Sequence, residues 1–372
     1  MSGYFLYHSI GTFAGKAKLM SNALSEFSSI WAAENDGQWP AALQKRQQFI
    51  DLWCQLIEAP AGSLTTAENV TTALYSLIGS LPRKTLAGKR VLIAADCFPS
   101  LHFMLAGIAG RFGFTLETVP LRAGETWVRD DDMIARWQED VVLALLTFVT
   151  STSSYRTDLR RLTEHGHRMG TIVGADITQG VGVAPFSITD TQIDFVVSTS
   201  LKWLCGTSGA GILQVKPELL TSCAPELRGW FSQENPFSWD LDQFSYAGDV
   251  RRFDHGTPAI LASVASLPGL EWALKTGVAQ IAEQNRERTR LLMEYAQENG
   301  WKLVSPQDES QRGGSVMLSL PEHIDSVQIV GSLRAQQLYC DARGKILRLS
   351  PGFVTEREDV EELCRALKTL LN

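Results

Sequence analysis

Three short stretches of this 372-residue chain hold residues able to do chemistry together. "ADITQG" sets Asp176 at the end of an apolar run, with Gln179 three residues on. "STSLKWLCGTSGAG" places Lys202 between the hydroxyls of Thr199 and Ser200 and a glycine-rich tail, and "TTAENVTTALYSLIG" puts hydroxyls and Asn69 ahead of a helical run. A carboxylate on an apolar strand is costly to desolvate unless it finds a cationic or hydrogen-bonding partner. A lysine held out of water gives up its proton more readily, and its amine becomes a Schiff-base former. The free N–H groups at a helix start attract an anion such as phosphate.

A lysine for an aldehyde, a carboxylate for a pyridine nitrogen and a helix N-terminus for a phosphate together describe a site for pyridoxal 5'-phosphate. On this reading Lys202 and Asp176 are the catalytic pair. Asn69, Val70, Thr71, Thr199 and Ser200 face the phosphate, and Gln179 faces the ring hydroxyl. Each stretch also has a plainer reading: a solvated lysine, an ion-paired aspartate, or a simple N-cap by Thr65 or Asn69.

Such residues need strand ends to carry them. The runs "VLIAAD", "TLETVPL", "VVLALLTFV", "TIVGADI", "DFVVSTS" and "AGILQV" alternate with helical stretches, which predicts an α/β fold with a mostly parallel sheet covered on both faces. Ligands of open α/β sheets sit at the carboxyl ends of the strands, where Asp176 and Lys202 fall. Helical spacing from Lys16 to Glu58, broken at Gly37 and Pro40, predicts two helices as an entry to this sheet. Beyond Thr257-Pro258 one long helical run, the strands "SVMLSLP" and "KILRLSP", and a closing helix with a Thr355/Glu358 capping box predict a smaller α+β domain. The expected division is 1–255 for the large domain with its helical entry and 256–372 for the small one.

The segment from Ala175 to Leu213 resembles the cofactor region of class V aminotransferases, with their D-x-x-H/Q, a D-F strand, S/T-x-x-K and a glycine-rich tail. Within that family the chain resembles kynureninase over most of its length. The resemblance implies a fold-type I pyridoxal phosphate enzyme with a seven-stranded-type sheet, working as a homodimer with its active site at the interface. In "FLYHSIGTFAGKA", Ser9 and Gly11 match an asparagine-serine-leucine-glycine segment near the substrate, with His8 in place of the asparagine. "DCFPSLHFML" resembles the motif whose phenylalanine stacks on the cofactor ring, here Phe98. By the same resemblance Trp230 reaches the phosphate and Arg348 binds the substrate carboxylate, for which a guanidinium fork is suited. The plain alternative for Arg348 is a structural ion pair.

Departures bear on the reaction. The tyrosine that precedes the lysine in kynureninases is Leu201, and their asparagine-proline-proline segment is replaced by "HGTPA", putting His255 at the substrate. Thr257, in a "GTP" like that of cysteine desulfurases and isopenicillin N epimerase-like proteins, approaches the partner's phosphate. Cys340 lies only eight residues before Arg348 and beside a predicted strand, so it reads as packed and not as a sulfur carrier. The expected reaction is cleavage at the β-carbon of a small amino acid, as in a hydrolase or lyase. Class V transamination and C–S lyase or epimerase-like chemistry are the alternatives, and a non-catalytic relative is the remotest. His8, His102, His255 and Trp239 are the candidates for reading the substrate side chain.

Composition narrows the class. A net charge of −7 leaves no basic footprint for nucleic acid. No apolar run is long enough to span a membrane, and the N-terminus lacks a secretory pattern, so a cytoplasmic protein is expected. Six cysteines with no CxxC or CxH cluster argue against disulfides and against a metal site.

Overall fold

The computed structural model describes residues 3–371. Six of its strands are the six apolar runs: β3 (Arg90–Ala94), β4 (Thr115–Val119), β5 (Val141–Thr147), β6 (Ile172–Asp176), β7 (Phe195–Thr199) and β8 (Gly211–Val215). They join β2 (Leu64–Ala67) in a seven-stranded sheet of order β2-β8-β7-β6-β5-β3-β4. Strand β8 is antiparallel to both of its neighbours and alone runs against the rest. Strands buried on both faces need no polar alternation, which is why β7 and β8 are buried along their whole length.

Two clusters cover the two faces of this sheet. Trp53, Leu146, Val173 and Val196 belong to one, and Leu74, Leu101, Phe195 and Leu213 to the other. The entry helices are Lys16–Trp31 and Gln38–Ile57. The break between them falls before residue 38, and Pro40 sits inside the first turn of the second helix, where its missing N–H costs nothing.

The long run after Pro258 is two helices, not one. Ile260–Thr276 ends at Gly277, whose φ of 86° turns the chain into Val278–Glu298. The first helix contributes Leu267, Leu270 and Ala273 to the core of the large sheet, which therefore holds the chain well past residue 256. The small antiparallel sheet has the order β12-β13-β10-β9, formed by β9 (Lys302–Leu303), β10 (Val316–Ser319), β12 (Asp341–Arg343) and β13 (Ile346–Leu349). Its core runs from Leu292 to Leu367 and takes in Phe5 from the N-terminus. Strand β1 (Gly3–Tyr4) pairs in parallel with β11 (Leu338–Tyr339), tying the first residues to this body. The closing helix Arg357–Leu371 is not capped by a Thr355/Glu358 box. Asp359 takes the Glu356 N–H at 2.9 Å, and Thr355 instead bonds the Tyr4 carbonyl at 2.6 Å.

Candidate active site

Asp176 is the last residue of β6, opposite Val197 of β7. It is buried, and its Oδ1 accepts the Thr178 N–H at 3.0 Å. Burial pushes its carboxyl pKa up, against the pull of the Thr178 hydrogen bonds and of the Lys202 charge. Lys202 follows β7 in a loop pinned by Cys205 N–H to the Lys202 carbonyl (2.9 Å) and Gly206 N–H to the Ser200 carbonyl (2.8 Å). Burial pushes the Lys202 amine down to about 8; the Arg348 charge adds to this and Asp176 opposes it. Its Nζ stands 5.4 Å from the Phe98 ring centroid, so the phenylalanine just ahead of helix Pro99–Phe112 faces the lysine.

The Gly11 backbone closes the loop from the other side, donating to the Leu201 carbonyl at 3.0 Å. A Cβ on Gly11 would fall 1.8 Å from the Lys202 carbonyl oxygen, so only glycine fits there. Helix Val70–Ile78 begins with Asn69, whose side chain accepts the Thr72 N–H at 3.0 Å while Thr72 Oγ1 accepts the Asn69 N–H. This capping box occupies the Asn69 oxygen. The first-turn amides of Val70 and Thr71 have no acceptor within the helix and remain available to an anion.

The other expected positions have these surroundings. Ser200 is fully buried, gives its hydroxyl proton to the Ala210 carbonyl (2.9 Å) and accepts Trp53 Nε1–H (3.1 Å), so it braces the loop and is no phosphate donor. Thr199, the last residue of β7, has no side-chain hydrogen bond among the described residues. Gln179 Nε2 donates to the His8 carbonyl at 3.0 Å, which fixes it to the N-terminal segment. Trp230 packs edge-on against Trp39, Phe231 and Phe237. His255 and Thr257 are exposed on a loop, and Ser9 is half-buried beside the buried His8. That loop is anchored by a buried pair in which Arg46 Nη1 and Nη2 grip both Asp254 oxygens at 3.0 and 2.7 Å, with Thr65 bonded to each partner. Cys340 is buried, and its thiol is pushed up to about 12 by that burial.

Arg348, on β13, stands close enough for its charge to be felt at Lys202, yet it is also in an ion pair. Its Nε and Nη2 donate to the two oxygens of Asp341 at 2.8 and 2.5 Å, and Nη1 reaches the Ser151 carbonyl at 3.4 Å. The buried His8 meets Asp341 with Nε2 at 2.9 Å and Ser350 Oγ with Nδ1 at 2.7 Å. Asp341 was absent from the sequence-derived site, although its signal is in "DARGKILR". Gly344, at φ 57°, starts a two-residue turn that sets Asp341 directly across from Arg348.

The donor set fits pyridoxal phosphate on its own terms. A buried carboxylate forms no ion pair among the described residues, and a desolvated amine faces an aromatic ring. A family model, Aminotransferase class-V, matches residues 53–365. The chain belongs to the class V aminotransferase family. With that family it belongs to the pyridoxal phosphate enzymes of fold type I, whose architecture the seven-stranded sheet and smaller C-terminal body match.

Class V relatives span most of the chain. An uncharacterized aminotransferase, YcbU of Bacillus subtilis, is 25% identical over 351 residues, covering 92% of this chain and 88% of its own. A kynureninase of Geobacillus thermodenitrificans is 26% identical over 330 residues, covering 85% and 76%. Among solved structures, a cysteine desulfurase from Thermococcus onnurineus superposes with a TM-score of 0.88 at 17% identity, over 100% of this chain and 94% of that one. The cystine C–S lyase C-DES superposes equally well, at 0.88 and 17%, over 100% and 98%.

Proposed function

We propose that this class V enzyme uses pyridoxal phosphate to cleave a bond at the β-carbon of a small amino acid, as kynureninase-like hydrolases and lyases do. What supports the reading is that Lys202, just past β7, has its Nζ 5.4 Å from the Phe98 ring and feels the charges of Asp176 and Arg348. When bound, the cofactor supplies an aldehyde for amino groups and a pyridine ring that accepts electrons. Lys202, whose amine burial lowers to about 8, would hold the cofactor's aldehyde and would serve, as a neutral amine, as general base at the substrate α-carbon. Asp176 would hold a proton at the pyridine nitrogen, and Phe98 would lie against the ring. The Val70 and Thr71 amides with Thr199 would hold the phosphate, and Arg348 would orient the substrate carboxylate.

The second protomer of a homodimer is expected to complete the site. Ile10, Phe103 and Leu261 are exposed, as are Phe237, Trp239 and Leu241 on the segment after Trp230. Burying such residues in a second copy would bring the exposed His255 and Thr257, and with them Trp230, toward the neighbouring cofactor. The six cysteines are all unpaired, which supports a reducing, cytoplasmic setting.

Transamination uses the same residues, and the buried Cys340 speaks against a route through an enzyme-bound persulfide. The purified protein is expected to absorb in the visible, to be fixed covalently by borohydride at Lys202, and to lose that labelling in Lys202→Ala. A colourless protein that stays unlabelled with added pyridoxal phosphate would refute the cofactor reading. Incubation with amino acids separates the two outcomes. Accumulated pyridoxamine phosphate indicates transamination, and a cofactor spectrum that returns to its starting form with a cleaved product indicates a lyase or hydrolase.

A further inference from the structure

The Arg348 guanidinium has five N–H groups. Asp341 occupies two of them, one on Nε and one on Nη2, and the Ser151 carbonyl takes one on Nη1. One N–H remains on each of Nη1 and Nη2, the nitrogens of the end-on fork. Asp341 thus does not use up the arginine. It holds the guanidinium side-on and leaves the end for a carboxylate.

The grip continues through His8. Asp341 Oδ1 can only accept, so its 2.9 Å approach to His8 Nε2, off the line of a full hydrogen bond, is attractive only with a proton on Nε2. In the neutral ring Nδ1 must then accept, which makes Ser350 Oγ the donor at 2.7 Å. Ser350 has only one hydroxyl proton, so in its 2.5 Å contact with Ser315 the latter donates. The chain has one direction, Ser315 to Ser350 to His8 to Asp341, and it ends beside Arg348. Burial favours the neutral His8 ring that this polarity needs.

We propose that His8 and Asp341 are positioning residues that lock Arg348 in an end-on pose for the substrate α-carboxylate, with His8 held in its Nε2–H tautomer. His8 replaces the asparagine of the family segment it resembles, and the reason follows from reach. An asparagine amide stands where Nδ1 does and serves Ser350, whereas only a group at the Nε2 position touches Asp341. The proposal rests on Arg348 binding the carboxylate.

The test uses the holoenzyme, titrated with L-alanine, L-cysteine and L-kynurenine and with the amine counterpart of each that lacks the carboxylate, following the visible cofactor band. Asp341→Asn and His8→Asn are expected to raise the half-saturating amino-acid concentration about tenfold, as loss of a charge-assisted bond does. His8→Gln, which restores a donor at the Nε2 position, is expected to stay within about threefold of wild type, and the amines are expected to respond equally in all variants. Arg348→Lys is the control. If it weakens amino-acid binding while Asp341→Asn and His8→Asn do not, the positioning array is refuted and the Arg348 role stands. If Arg348→Lys itself changes nothing, the carboxylate role falls and the array with it. Nitrogen-15 NMR of histidine-labelled, cofactor-free protein gives a second reading, assigned with His8→Gln. A protonated Nε2 and bare Nδ1 are expected at neutral pH, and a protonated Nδ1 would overturn the proposal.

Discussion

Lys202→Met should make the cofactor-free protein more stable at neutral pH, against the usual effect of changing an active-site residue. Burial lowers the lysine from its ordinary 10.5 to about 8, so the unfolded chain binds more protons than the folded one between those values. Stability of the wild type therefore rises with pH across that window. Below about pH 8 both states carry the proton, and the folded protein bears the whole burden of a desolvated charge, about 3 kcal/mol. Methionine fills similar space without the charge and removes that burden, which is already net of the attraction of Asp176.

An unfolding entropy of about 2.1 cal/mol/K per residue gives a chain of this length about 0.8 kcal/mol/K, so the full effect is about 4 °C in Tm. Calorimetry of cofactor-stripped wild type and variant from about pH 6 to about pH 10.5 is the assay. The variant is expected to melt higher near neutrality, with the gap closing as pH rises. A variant that melts no higher at neutral pH, or a gap that does not narrow, would show that Lys202 is not desolvated.

Three further outcomes follow from the packing. Ser200→Ala removes the partner of the buried Trp53 Nε1–H and is expected to lower stability by about 1–3 kcal/mol in denaturant titrations, with unchanged cofactor affinity by equilibrium dialysis. Asp254→Asn leaves Arg46 buried against a neutral partner; a loss of about 3–5 kcal/mol is expected in denaturant titrations. Cys340→Ala is expected to leave kcat unchanged for any substrate that releases sulfur, and a loss of that activity would return the buried thiol to the mechanism.

The parts of the molecule set by one-dimensional pattern were legible in the chain. β6 and β7 are uninterrupted apolar runs, and Asp176 and Lys202 stand out because polar groups at the ends of such runs need a reason. What the pattern does not carry is the direction of a strand or the partner of a side chain. The reversal of β8 has no signature in "AGILQV", since a strand buried on both faces reads the same either way. Ser200 and Thr199 are adjacent hydroxyls in the sequence, and only the turn of the loop onto Trp53 tells them apart. The pairing of Asp341 with Arg348 was readable through the Gly344 turn, whereas the arrival of His8 from 333 residues away depends on β1 finding β11.

That last pairing has a consequence for how the protein is made. The segment from Gly3 to Gly11 touches the strands that hold Tyr339 and Ser350 at one end and the carbonyl of Leu201 at the other. On a ribosome adding about 5–20 residues per second, the large sheet can assemble while the first residues still lack their mates. The lysine loop then waits, open on one side, until Tyr339 and Ser350 have emerged. The opening residues are the last piece to be seated, and a tag or truncation at this end would strike the finishing step of the active site.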